Sequence, residues 1–317
     1  MRKTWTLLFT AAAVLTACFV SAHQYDKLRE VLAARLESDA AMRAALLKNA
    51  QPVTAHFNYA ALLAPDTDVL LLGEQHGDPA FKREANVILK SLGAQKLGFT
   101  HFASEFLLAD EQPALNDFTA KKIKLEQLEG KLALPGYSSA VNVATRYGML
   151  PLGLDLSQAQ QNPAWATSAQ GMRERNIRWG KIIGTVAEQD LKSRFIVYAG
   201  AWHTQLYSKE YPSLPSVLNG YGLKTKTAEF VNNGEKAWRM LLESKKMADK
   251  AVLITVPAAY VKTVNADYII YLPPSKPLSG AAKDKAEKLM NDQNFNWKHC
   301  TEDPDNPLCK LNMQHNR

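Results

Sequence analysis

VLLLGEQHGDP, residues 69–79, is an apolar run that ends abruptly in Glu74 and His76. No polar residue interrupts Val69 to Gly73, whereas a half-exposed strand would alternate, so the run reads as a strand buried on both faces. Gly77, Asp78 and Pro79 break the strand, and Pro79 suits the first turn of a helix running to about Leu92. A core strand thus delivers an acid and an imidazole at its carboxyl end.

The same arrangement recurs downstream. Thr100–Phe106 (THFASEF) is a strand candidate that reaches Glu105, Leu150–Leu154 reaches Asp155, and Phe195–Trp202 (FIVYAGAW) reaches His203. In open α/β sheets ligands bind outside the carboxyl ends of the strands, so Glu74, His76, Glu105, Asp155 and His203 are expected at one cleft. The fold class expected is α/β, with a central, largely parallel sheet, flanking helices and antiparallel additions towards the C-terminus.

Residues 24–49 carry apolar positions near a 3.6 period and read as an amphipathic leading helix. Residues 111–133 are polar and lysine-rich (AKKIKLEQLEGK), a solvated helical insertion or a lid over the cleft. LPGYSS at 134–139 signals a turn before a helix over 139–147; 157–168 reads as a polar loop and 169–189 as a helix containing MRERNIRW. Further strands are expected near 225–231, 251–256 and 267–272, and PPSKP at 273–277 opens a polar tail. The expected organisation is a signal segment over 1–22, one α/β domain over 23–272 and a tail over 273–317.

Arg2 and Lys3 precede an apolar stretch, 5–20, that is short for a membrane span and reads as an export signal. LTAC at 15–18 looks like a lipobox, which would make Cys18 the acylated first residue; Val20-Ser21-Ala22 offers a competing cut before His23. Either way the expected location is the periplasm or outer membrane, with the membrane a partner through the lipid. The formal net charge is +7 without a dense basic block, and removing Arg2 and Lys3 leaves +7 minus 2, or +5. A nucleic-acid partner is therefore not expected. Cys300 and Cys309, in HCTEDPDNPLC, are spaced for a small disulfide loop in an oxidising compartment.

G-x-S-x-G, P-loop and G-x-G-x-x-G patterns are all missing, which removes the signatures of serine hydrolases and of nucleotide and dinucleotide binding. Acid, histidine and arginine chemistry remains. Two histidines with carboxylates can hold a divalent metal (Glu74, His76 and His203 being the candidate ligands) or work without one, a histidine acting as general base. Glu105, in an otherwise apolar strand, needs a partner such as Arg175 or a metal, because an unpaired buried carboxylate is costly. Asp155 reads as structural support. Arg173, Arg175 and Asn176 share a helix, from which arginine can clamp a carboxylate or a developing oxyanion.

LLLGEQHGDP, ASEF, RERN and GAWHT, in this order, resemble the haem-binding uptake and Tiki superfamily, which includes the ChaN-like lipoproteins, the Tiki and TraB-like proteins and the erythromycin esterases. Gly-Glu-x-His with Pro79, and the lipobox, look most like the ChaN-like branch. That branch implies haem binding and iron uptake, with a tyrosine as iron ligand and Tyr137 the candidate here. The other branches imply hydrolysis of an ester or peptide by Glu74, His76, Glu105 and His203, with Arg175 stabilising negative charge and Asn176 in support, with or without a divalent metal. The implied partners are haem or a small-molecule or peptide substrate, and a homodimer is one assembly open to the chain.

Overall fold

In a computed structural model, the described residues are 27–54, 57–62, 66–75, 78–232 and 234–273. His76, Cys18, Cys300, Cys309 and the tail beyond residue 273 lie outside them. The leading segment is two helices: α1 (27–38) and α2 (Ala40–Lys48), because Asp39 leaves the helix to accept the Met42 amide as an N-cap.

Eight strands form one sheet. They are β1 (Ala50–Pro52), β2 (Val69–Glu74), β3 (His101–Leu108), β4 (Leu150–Asp155), β5 (Phe195–Gly200), β6 (Thr225–Asn232), β7 (Val252–Thr255) and β8 (Tyr268–Leu272). Their order is β1-β7-β8-β6-β2-β5-β3-β4; β7 runs antiparallel to β1 and β8, and every other pair is parallel. The expected α/β class is what the chain adopts.

Strand β2 is buried along its whole length, and its side chains alternate between two cores. Leu70 and Leu72 pack with α3 (Pro79–Ala94) and α6 (Ser138–Arg146), while Val69 and Leu71 pack with α9 (Ala169–Gln189) and α11 (Leu214–Gly220). Covering both faces explains the unbroken apolar run; truncating any of these leucines to alanine costs about 2–5 kcal/mol. A third core joins α2 and α12 (Lys236–Glu243) to β7 and β8.

Three expectations need correction. Residues 111–133 hold α4 (Gln112–Thr119) and α5 (Leu125–Glu129), which bury Leu115 and Leu128 in the first core instead of standing in solvent, and Leu132 beyond α5 joins them. Residues 157–168 contain two short helices, α7 (Ser157–Gln161) and α8 (Pro163–Ala166), the second capped by Asn162. Strand β5 stops at Gly200, and Ala201–Thr204 turns into a one-turn helix, α10, which carries His203.

That turn explains a glycine in the opening motif. A Cβ on Gly73 would sit 2.1 Å from Thr204 Oγ1 and 3.3 Å from Ala201 Cα. Only glycine lets α10 lie this close to β2, and the close approach brings His203 towards Glu74's strand.

Candidate functional site

The chain passes from β2 to β3 and β4, returns to insert β5 between β2 and β3, and then crosses to β6 on the far side of β2. In open α/β sheets ligands bind at such a switch in direction, and the expected acids stand on β2, β3 and β4 towards their carboxyl ends. Glu74 stands opposite Gly200 in the β2/β5 register, and the Gly200 amide donates to Glu105 Oε2 at 2.6 Å, so the two carboxylates flank the end of β5. Glu105 does not end its strand: β3 continues to Leu108, and Glu105 sits where the pairing with β4 shifts register between Ser104 and Leu108. Irregularities of this kind re-aim a side chain next to a site.

Arg175, on α9, holds one side of the cluster. Its Nη2 donates to Glu105 Oε1 at 2.6 Å and to Asp155 Oδ2 at 2.8 Å, and its Nε donates to Asp155 Oδ1 at 3.0 Å. All three side chains are buried. Burial alone would lower the guanidinium's pKa, but Glu105 and Asp155 outweigh it and push it up, so Arg175 stays charged. One cation shared between two acids leaves Asp155 incompletely compensated: burial raises its carboxyl above the ordinary range although Arg175 opposes the shift.

The neighbouring residue, Asn176, orients the histidine. Its Nδ2 donates to the Pro212 carbonyl at 2.8 Å, which turns Oδ1 towards His203 Nδ1 at 2.5 Å. An amide oxygen accepts only, so Nδ1 carries the imidazole proton and Nε2 is the basic nitrogen. Nε2 faces Glu105 Oε1 at 3.7 Å, and the ring lies against Trp179 with centroids 4.1 Å apart. An imidazole with a fixed tautomer beside a clamped carboxylate is equipped to take a proton from a water or hydroxyl group.

Glu74 is ringed by phenols. The Tyr198 hydroxyl donates to Oε2, and the Tyr137 hydroxyl approaches Oε1 at 3.5 Å. Burial, followed by Glu74, pushes both phenols up, so both stay protonated and serve as donors. Two carboxylates and a desolvated ring hold the Tyr137 proton on.

Sequence reasoning missed Tyr198, whose signal is a lone phenol in a fully buried strand, a group that requires a partner. It also missed the loop after β6. Asn232 Nδ2 donates to Asp78 Oδ2 at 2.9 Å, and Gln75 Nε2 donates to Glu235 at 3.5 Å, so this loop grips both flanks of residues 76–77. Glu235 is in turn paired with Arg29 from α1. Among the described residues no group of three or more histidines, cysteines and acids has the geometry to hold a metal; the candidate set with His76 lies outside them. Among the described residues, too, no helix is long and apolar enough to cross a membrane.

Fold and site together define an α/β protein with an acid, arginine and histidine cluster at the ends of its parallel strands. The family model described as haem-binding uptake, Tiki superfamily, ChaN matches residues 61–178 of the 317-residue chain. The matched segment holds β2, β3, β4 and the start of α9, and with them Glu74, Glu105, Asp155, Arg175 and Asn176. No curated protein matches. Among solved structures, the chain resembles ChaN of Campylobacter jejuni, in a structure titled for cofacial heme binding, at 15% identity and a TM-score of 0.43, covering 65% of this chain and 88% of that one. It also resembles RRSP, a MARTX toxin effector domain from Vibrio vulnificus CMCP6, at 21% identity and a TM-score of 0.43, covering 68% of this chain and 45% of that one. A Bacillus cereus protein is similar at 11% identity and a TM-score of 0.44, covering 74% of this chain and 97% of that one.

Proposed function

We propose that this chain is an exported hydrolase of the ChaN and Tiki type, acting on an ester or peptide bond. The observation that carries the reading is the tautomer lock on His203: the Pro212 carbonyl fixes Asn176, Asn176 fixes Nδ1–H, and Nε2 is left as the base beside Glu105. In this reading His203 takes the proton of the attacking water and returns it to the leaving group. Glu105, held by Arg175 and the Gly200 amide, stabilises the imidazolium formed in between. Glu74 supplies a second buried carboxylate. A divalent metal at Glu74, His76 and His203 would activate the water by lowering its pKa.

The test is hydrolysis by the purified protein of a panel of 4-nitrophenyl esters and fluorogenic peptides, with His203→Ala as control. Turnover that falls roughly 100-fold or more in the variant supports the reading. Absence of turnover across the panel by the wild type, or equal rates in the two proteins, overturns it.

A second reading is haem binding for iron uptake, favoured by the family model's own description over residues 61–178. A Soret shift on adding haemin at micromolar concentration supports it, and an unchanged spectrum removes it. Export with acylation at Cys18 rests on the LTAC motif, and incorporation of labelled palmitate that Cys18→Ser abolishes is its test.

A further inference from the structure

The polar groups of the site differ in how far they are shut away. Glu74, Glu105, Asp155, Arg175, Asn176 and His203 are all buried, whereas Tyr137 is half-buried. It is the group of the set with the most exposed surface.

Its position is built with care. Pro135–Tyr137 is a single 3₁₀ turn leading into α6, with the chain direction set by Pro135. The next two residues anchor that turn, Ser138 donating to Glu129 at 2.8 Å and Ser139 accepting from Asn86 at 3.2 Å. The Tyr137 ring is stacked on Phe106, with centroids 4.0 Å apart and planes 10° apart, and Lys82 Nζ lies 4.8 Å from its centre. A phenol gripped in this way has little freedom except at its hydroxyl.

The hydroxyl is also loosely held. It lies 3.5 Å from Glu74 Oε1, at the outer limit of a hydrogen bond, while Tyr198 makes the close contact to the other oxygen of the same carboxylate. Glu74 thus keeps a phenol donor if Tyr137 turns its hydrogen elsewhere.

We infer that Tyr137 is a catalytic residue whose hydroxyl turns from Glu74 to donate a hydrogen bond to the substrate carbonyl oxygen as that oxygen gains negative charge. The inference rests on the hydrolase reading above. In the step concerned, water oxygen bonds to the carbonyl carbon, a water proton passes to His203 Nε2, and the carbonyl π electrons move to the oxygen that Tyr137 solvates. The phenol keeps its own proton throughout. As the tetrahedral carbon collapses, the bond to the leaving group breaks and the proton on His203 goes to that group.

The experiment compares wild type, Tyr137→Phe and Phe106→Leu on the best 4-nitrophenyl ester, with kcat and KM measured separately and the melting temperature recorded. The expected result is a fall in kcat of roughly 100-fold or more in Tyr137→Phe with KM within about two-fold, because the bond forms fully only as charge develops. Phe106→Leu, which loosens the stack but keeps the hydroxyl, is expected to retain more than a tenth of the wild-type kcat. A Tyr137→Phe protein that folds and turns over at the wild-type rate, while His203→Ala is inactive, overturns the inference and leaves the hydrolase reading standing. A wild type without turnover overturns both. A haemin Soret shift abolished by Tyr137→Phe overturns the inference in favour of iron ligation.

Discussion

Replacing Arg175 by methionine tests the polar cluster as a physical object, without reference to any substrate. The guanidinium makes three charge-assisted hydrogen bonds to Glu105 and Asp155, at 2.6, 2.8 and 3.0 Å, and all three residues are buried. Methionine fills much of the same volume but leaves two carboxylates without their cation, and breaking a buried pair in this way costs about 3–5 kcal/mol. Domains have a total stability of about 5–15 kcal/mol, so the loss is a large fraction of the whole. At about 2–4 °C per kcal/mol for a chain of this size, the melting temperature falls by roughly 6–20 °C. The loss also depends on pH, with a definite sign. Burial already raises Asp155 in the wild type, and removing the guanidinium that opposes this shift raises it further. A raised carboxyl contributes stability at low pH that is lost as pH rises through the folded pKa, so the variant is least impaired near pH 5 and most impaired near pH 8. Urea unfolding of both proteins at the two pH values, with slopes compared, is the assay. A loss below about 1 kcal/mol, or one that grows as pH is lowered, would refute the reasoning.

Three further outcomes are expected. Gly73→Ala places a methyl 2.1 Å from Thr204 Oγ1, so it should displace α10, destabilise by about 1–3 kcal/mol and lower turnover through His203; circular dichroism melts and kcat together check it. Asn176→Ala frees the His203 tautomer and should reduce kcat roughly ten- to hundred-fold while the protein stays folded, with ¹⁵N spectra of the imidazole reporting the loss of the Nδ1–H form. His101 is stacked on Phe195, and burial, opposed by Asp190, lowers its pKa. A lowered imidazole contributes stability present above its unfolded value of about 6.5 and lost as pH falls through the folded one, so His101→Phe should flatten the acid side of the stability curve.

The fold was legible where a strand is buried on both faces. VLLLGE, THFASEF and FIVYAG carry no alternation to confuse with a helix, and the observed strands start within one residue of the expected positions. The pairing of Glu105 with Arg175 followed from the cost of an unpaired buried acid, a local argument that needed no coordinates. Features depending on contacts between distant residues were hidden. The second phenol on Glu74 comes from 124 positions away, and the grip of Glu235 on Gln75 from 160. Residues 112–129 were misread for another reason: Lys121, Lys122 and Lys124 lie in the exposed turn between α4 and α5, while the helices on either side bury Leu115 and Leu128. The turn to helix after Gly200 was invisible because Ala201 and Trp202 continue an apolar run, and only the packing of Thr204 against Gly73 shows why the chain bends.

The most direct single measurement is the rate of ester or peptide hydrolysis from pH 5 to pH 9 for wild type and His203→Ala. A wild-type rate that climbs through an ionisation the variant lacks, with the variant flat and roughly 100-fold slower, is the predicted result. Superimposable profiles from two folded proteins would contradict it.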